Sequence, residues 1–303
     1  MPLVSLRGLT HRYPGGVVAL DALTLELEPG IIGLVGANGA GKSTLLRILL
    51  GLLAPTDGSA TVFDLDVRTQ GTRIRELVGY MPEHDCLPPD ITATEFVAHL
   101  ARMSGLPGTA ARERSAEVLR HVGLLEERYR LIEGYSTGMK QRVKFAQALV
   151  HGPRLLLLDE PTNGLDPTGR DEMLALIRRT GREFGIAIIV ASHLLGEIER
   201  VSDYLVAIDA GRLLRAAPLQ TFTERTGVLA VEVEDGSDLL ADALRARGLQ
   251  VLMDGRVVLV PLEDGAAYDL VRDAVVEVGL SLVRLEPRRH SLEDLFRDQA
   301  VAA

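Results

Sequence analysis

The chain has 303 residues, 47% of them hydrophobic, enough for one large domain plus a small one with a well-buried core. Its formal charge of −9 argues against extended binding to nucleic acid, which wants a basic face. A lone cysteine, Cys86, excludes an internal disulfide or a cysteine-rich metal site, and no apolar run approaches the roughly 20 residues of a membrane span. The N-terminus lacks the long apolar core of a secretory signal, so the expected setting is a reducing cytoplasm.

In chain order, residues 3–6 and 18–21 flank a turn at Pro14-Gly15-Gly16 and predict an antiparallel start. Ile31-Ile32-Gly33-Leu34-Val35 reads as a buried strand, and residues 44–50 as a helix. Between them, Gly36-Ala37-Asn38-Gly39-Ala40-Gly41-Lys42-Ser43 fits G-x-x-x-x-G-K-[ST], the phosphate-binding loop. Gly36, Gly39 and Gly41 let the backbone turn sharply and approach a phosphate. Successive N–H groups and the helix N-terminus then face the anion. The expected nucleotide-binding set here is Gly36, Asn38, Gly39, Gly41, Lys42, Ser43 and Thr44. Lys42 is expected to reach the β- and γ-phosphates and the Ser43 hydroxyl to ligate Mg²⁺.

Residues 85–150 turn helical. Thr92 and Glu95 have capping-box spacing, residues 110–121 form a second helix, and a third begins near Ser136. That start could aim a helix N-terminus at a phosphate. Arg154-Leu155-Leu156-Leu157-Leu158-Asp159-Glu160 is an apolar strand ending in two carboxylates. Adjacent strand residues face opposite ways, so the two acids can divide the work. Asp159 suits the Mg²⁺ shell, and Glu160 can orient or deprotonate water. His193 follows the apolar strand at residues 186–190, where it is a candidate contact for the γ-phosphate. Residues 153–215 thus return to an α/β pattern, with a helical insert inside the core.

The block 219–303 reads as strand, helix, strand, strand, helix, strand, a ferredoxin-like split arrangement. Its strands are expected near 228–234, 249–252, 256–260 and 280–285, with Asp254-Gly255 as a hairpin turn. A further helix starts at Ser291. No catalytic constellation lies here, so dimer contact or regulation is the expected role, with ligand sensing the weaker option.

The order of motifs resembles the nucleotide-binding subunits of ABC transporters over about residues 3–215. Tyr13 stands where that family stacks adenine on an aromatic ring. Gly79-Tyr80-Met81-Pro82-Glu83 resembles the Q-loop, and Tyr135-Ser136-Thr137-Gly138-Met139-Lys140-Gln141-Arg142 the signature. Asn163-Gly164-Leu165-Asp166 is similar to the D-loop, and Val190-Ala191-Ser192-His193 to the switch-histidine segment. The resemblance implies that Ser136 and Gly138 touch the γ-phosphate bound by a facing subunit and that Asp166 crosses the dimer interface. Asp166 before Pro167 also reads as an ordinary N-cap, and the two roles are compatible. Thr137 and Met139 depart from the usual Gly and Gln of the signature, and Glu83 replaces the usual Gln. A carboxylate can serve as a Mg²⁺ ligand, and the alternative is that Glu83 points away.

The predicted fold is therefore a P-loop NTPase α/β core at 1–215, with an antiparallel β start and a helical subdomain at about 85–150, then a small ferredoxin-like α+β domain at 219–303. The implied function is an ATP-hydrolysing motor, using ATP and Mg²⁺, paired as a homodimer or with another ATPase subunit. It would sit on the inner face of the plasma membrane, joined to an integral membrane permease. Leu87, Phe96, Val97 and Leu100 are candidates for the permease contact, although Val97 and Leu100 also suit the insert's own core. Ser291-Leu292-Glu293-Asp294-Leu295-Phe296 and the signature's form resemble ABC-2-type subunits, many of them exporters; an importer motor is also compatible. The competing class is a soluble ABC-type ATPase of DNA repair, chromosome organisation or translation. Such proteins tend to carry a coiled-coil insertion, a zinc module or two cassettes, and none is evident in this sequence.

Overall fold

A computed structural model describes residues 2–223, 225–261 and 266–289. The helix expected from Ser291 lies outside the described residues. The chain divides into two compact units, Met1–Leu219 and Gln220–Ala303.

The first unit opens with β1 (Val4–Arg12), β2 (Val18–Leu27), β3 (Ile31–Val35), α1 (Lys42–Leu49), β4 (Asp57–Val62), β5 (Leu65–Asp66), α2 (Gly71–Leu77) and β6 (Val78–Met81). Then come α3 (Ala93–Met103), α4 (Gly108–His121) and α5 (Thr137–Leu149). It continues with β7 (Leu155–Asp159), α6 (Pro167–Phe184), β8 (Ala187–Ser192), α7 (Leu195–Val201), β9 (Tyr204–Asp209) and β10 (Arg212–Pro218). A short helix α8 (Leu219–Thr223) follows.

Two sheets result. One is antiparallel, in the order β2-β1-β4-β5; the turn expected at Pro14-Gly15-Gly16 joins β1 to β2. The other runs β10-β9-β3-β8-β7-β6, parallel except for β10. Every residue of β3, β7 and β8 is buried, which is why these strands read as unbroken apolar runs. One core cluster joins Leu6, Leu9 and Leu20 of the antiparallel sheet, Leu46 and Ile48 of α1, and Leu157 and Ile189 of the parallel sheet. Each such side chain contributes roughly 1.5–3 kcal/mol by burial. This packing fixes α1, and with it the loop that precedes it.

The strand order decides where the chemistry lies. β8 sits between β3 and β7, with Val35 opposite Ser192 and Ala191 opposite Asp159. The loop after β3, His193 after β8 and Glu160 after β7 therefore meet at adjacent carboxyl ends, the usual ligand edge of such sheets. The helical insert is built from α3, α4 and α5. Thr92 caps α3 with both bonds of the capping box to Glu95. Val97 is fully buried, so it belongs to the insert's core, whereas Leu87, Phe96 and Leu100 are half-buried.

The second unit contains β11 (Arg225–Val233), α9 (Ser237–Ala246), β12 (Leu252–Asp254), β13 (Val257–Pro261), α10 (Ala266–Val278) and β14 (Leu282–Arg289). Its sheet runs β12-β13-β11-β14, antiparallel throughout, which is the ferredoxin-like arrangement expected. Leu229, Val231 and Val233 alternate into a core with Leu240, Leu244 and Val271. One detail differs: Asp254 pairs with Val257, so the two-residue turn is Gly255-Arg256, one position later than the Asp254-Gly255 reading. Asp254 closes the ladder instead of bending it. Among the described residues, no helix is long and apolar enough to cross a membrane.

Candidate active site

The loop between β3 and α1 is shaped by its glycines. Gly41 has φ of 105°, and a Cβ there would lie 2.4 Å from the Ala19 carbonyl oxygen, so no other residue fits. Ala37, Asn38 and Gly39 are exposed at the mouth, while Lys42 is 6% exposed. Its Nζ donates to Gly36 O at 2.7 Å and Ala37 O at 3.4 Å, and stands 3.4 Å from Glu160 Oε1. The ammonium thus lies between the loop backbone and the Glu160 carboxylate. Tyr13 reaches the start of α1, its hydroxyl 3.2 Å from Thr44 Oγ1, and its ring meets His11 edge-on at 4.7 Å. Tyr13 is half-buried beside the loop.

Ser43 Oγ donates to Asp159 Oδ1 at 3.1 Å, and Tyr80 Oη donates to Asp159 Oδ2 at 3.4 Å. Burial pushes the Asp159 carboxyl above the usual range; the Ser43 bond opposes this, and the nearby Glu83 charge adds to it. Burial together with the Asp159 charge pushes the Tyr80 phenol up to about 12. A buried carboxylate with a hydroxyl beside it is the hard-oxygen donor set that Mg²⁺ takes. The residues present therefore fit that ion.

Glu160 faces the other way from Asp159. Its Oε2 lies 2.9 Å from Nδ1 of the exposed His193, while Oε1 is buried without a hydrogen-bond donor, only the Lys42 ammonium standing near. Glu160 has φ of 49°, a left-handed conformation that costs a non-glycine residue of order 1 kcal/mol or more. Its own N–H bonds to Ala191 O across to β8, which holds it there. Lys42, Ser43, Asp159, Glu160 and His193 thus form one contact-linked cluster.

Glu83 lies near that cluster, but its Oε1 accepts from Asn163 Nδ2 at 3.3 Å. The side chain is turned to the loop after Glu160, and its charge still reaches Asp159. The buried Lys144 of α5 donates to Glu83 O at 2.8 Å, and burial lowers the affinity of that amine for its proton. Lys140 pairs with Asp85 at 3.6 Å, and Gln141 donates to Asn163 O at 3.0 Å. Sequence reasoning missed Lys144 and named Asn163 only within the D-loop; the partners of both are distant in the chain.

Ser136 and Asp166 are helix caps. Ser136 Oγ accepts from Met139 N at the start of α5, and Asp166 Oδ1 accepts from Gly169 N at the start of α6. Both are exposed and Gly138 is half-buried, carried on the α5 N-terminus. A Cβ on Gly138 would meet only ordinary contacts within the chain. Thr137, one of the two departures from the usual signature, is accommodated by Gly164: its methyl lies 3.2 Å from where a Cβ would be.

Comparison with known proteins agrees with this geometry. A family model described as ABC transporter matches residues 20–163. The chain is 34% identical to the bacitracin transport ATP-binding protein BcrA of Bacillus licheniformis over 97% of this chain and 96% of that one. It is also 34% identical to the ABC transporter ATP-binding protein YxlF of Bacillus subtilis, over 89% and 90% of the two chains. A solved dimeric ATP-binding cassette in a post-hydrolysis state, bound to ADP and Pi, superposes with a TM-score of 0.66 at 26% identity, over 71% of this chain and 98% of that one. With that likeness along nearly its whole length, the chain belongs to the ABC transporter ATP-binding proteins and is an ATP-hydrolysing subunit of a transporter.

Proposed function

We propose that this subunit hydrolyses ATP by activating water on Glu160, with His193 and Lys42 on either side of that carboxylate. The observation that carries the reading is the Glu160 carboxylate, held between His193 Nδ1 at 2.9 Å and Lys42 Nζ at 3.4 Å. In this reading the loop N–H groups from Gly36 to Thr44 cradle the phosphates and Lys42 moves onto the β,γ-oxygens. Glu160 takes a proton from the attacking water, and its remaining contact with His193 Nδ1 keeps it oriented. Nδ1 of His193 faces Glu160, which leaves Nε2 for a γ-phosphate oxygen. Ser43 and Asp159 would hold Mg²⁺, which neutralises charge on the transferring phosphoryl group. Glu83 supports that shell from outside, since its oxygen is engaged by Asn163.

Ser136 and Gly138 are read as the groups that complete the site of a second subunit, because α5 presents its exposed N-terminus outward. Asp166 lies on the same kind of exposed helix start and is assigned to the contact between the two. Tyr13 is assigned to the adenine side. The partner is an integral membrane permease, met at the inner face of the bilayer and docked on the half-buried Leu87 and Phe96 of this subunit. The relatives carry names of bacitracin transport and daunorubicin/doxorubicin resistance, which supports export as the direction and an ABC-2-type system. The second unit serves dimer contact or regulation. A Glu160→Gln variant should bind ATP with near-normal affinity and lose at least about 100-fold in turnover, because the amide cannot accept the proton. Near-wild-type steady-state hydrolysis would remove Glu160 from this role.

A further inference from the structure

Glu197, in the first turns of α7, is a buried carboxylate that the chemistry above does not use. It is 8% exposed. One oxygen, Oε2, accepts both from Thr162 Oγ1 at 2.6 Å and from Ser192 Oγ at 3.2 Å. Thr162 stands two residues after Glu160, and Ser192 stands one residue before His193. Ser192 Oγ also accepts from Leu194 N at 3.1 Å, closing the turn that carries His193. The other oxygen, Oε1, has no hydrogen-bond donor and only the Arg170 Nε at 3.9 Å. A charged group in so dry a place is costly unless its bonds matter.

We infer that Glu197 is a positioning residue that clamps the Glu160 and His193 segments together and so sets the distance between those two side chains. The reading rests on the proposed roles of Glu160 and His193. The backbone says why a clamp is needed. Glu160 is left-handed at φ of 49°, and such a conformation persists only where its surroundings fix it. Asn163 N bonds to Glu160 O and Leu165 N to Thr162 O, so the strained turn is internally braced. Its side-chain tie to the neighbouring strand end runs through Thr162, Glu197 and Ser192. All the accepting is done by one oxygen, so acceptor geometry carries the role, and the negative charge does not.

That distinction gives the test, made on the full-length protein. Glu197→Ala should lower kcat for ATP by at least about tenfold, the scale of a small misplacement of a catalytic group. KM and the affinity for a fluorescent ATP analogue should stay within about twofold, since no phosphate contact is lost. Glu197→Gln should recover most of kcat, because its amide oxygen can accept from both hydroxyls. In a His193→Ala background, Glu197→Ala should add little, since both act on the same contact. Thr162→Val and Ser192→Ala each remove one leg and should each lower kcat even if Glu197→Ala fails to fold. A Glu197→Ala kcat within twofold of wild type would overturn the inference, as would equal damage by Glu197→Gln or full additivity with His193→Ala. If His193→Ala alone keeps full activity, the reading of the site fails instead.

Discussion

Asp159 is 2% exposed, and its carboxyl is held above the usual range chiefly by that burial. The folded group therefore keeps its proton to a higher pH than the unfolded one. Stability falls as pH rises through that interval. Asp159→Asn keeps an oxygen for the Ser43 hydroxyl and removes the charge. In the nucleotide-free state it should melt higher than wild type at neutral pH, by about 2 °C or more for a domain of this size. The gap should close as pH falls towards about 4, where the wild-type carboxyl takes up its proton folded or unfolded. Melting curves that run parallel across that range would show that Asp159 carries no burial cost. The same residue is the expected Mg²⁺ ligand, so the site trades stability for function.

At the scale of elements, α5 grips the segment after β6. Lys140, Lys144 and Gln147 lie one helical turn apart and engage Asp85, the Glu83 carbonyl and the Cys86 thiol. Gln141 holds the loop after Glu160 from the same helix. Movement of the signature helix is thereby tied to both loops of its own subunit. Cys86 is exposed and is the only cysteine, so its alkylation rate reports on this grip. Lys144→Met leaves the Glu83 carbonyl without its donor, a loss of about 1–3 kcal/mol; because the lysine charge also lowers the Cys86 thiol pKa, rates are compared per thiolate, and on that basis labelling of Cys86 should speed about fivefold or more. Glu83→Gln keeps an oxygen for Asn163 and should label at the wild-type rate. Equal rates for all three proteins would show that Lys144 does not restrain the loop.

These contacts also mark what the sequence could reveal. The runs at β3, β7 and β8 were legible because buried parallel strands must be apolar; Asp159 ends β7, Glu160 and His193 follow β7 and β8, and Lys42 and Ser43 close the loop after β3. Their meeting depends only on strand order at one sheet edge. Lys144 and Glu197 were not legible. Met139-Lys140-Gln141-Arg142-Val143-Lys144 and Gly196-Glu197-Ile198-Glu199-Arg200 both look like solvated helix faces. Their burial comes from partners 61 and 35 residues away. Glu83 was open between metal ligation and another direction, and Asn163 is what draws its side chain aside. The hairpin turn shifted by one residue because Asp254 completes a cross-strand pair with Val257, a choice local propensity cannot decide.

At the scale of the whole molecule, one chain carries the phosphate loop, the carboxylates and the histidine, and also the exposed helix start proposed to meet a second nucleotide. Two copies facing each other would complete two sites. A variant that binds ATP without hydrolysing it should hold that pair closed. The direct measurement is the mass of Glu160→Gln in solution by light scattering, with ATP and Mg²⁺ and then with ADP. The account predicts twice the 32.8 kDa chain mass with ATP and a single chain with ADP. A single-chain mass with ATP demonstrably bound, together with wild-type hydrolysis whose rate per chain does not change with protein concentration, would contradict it.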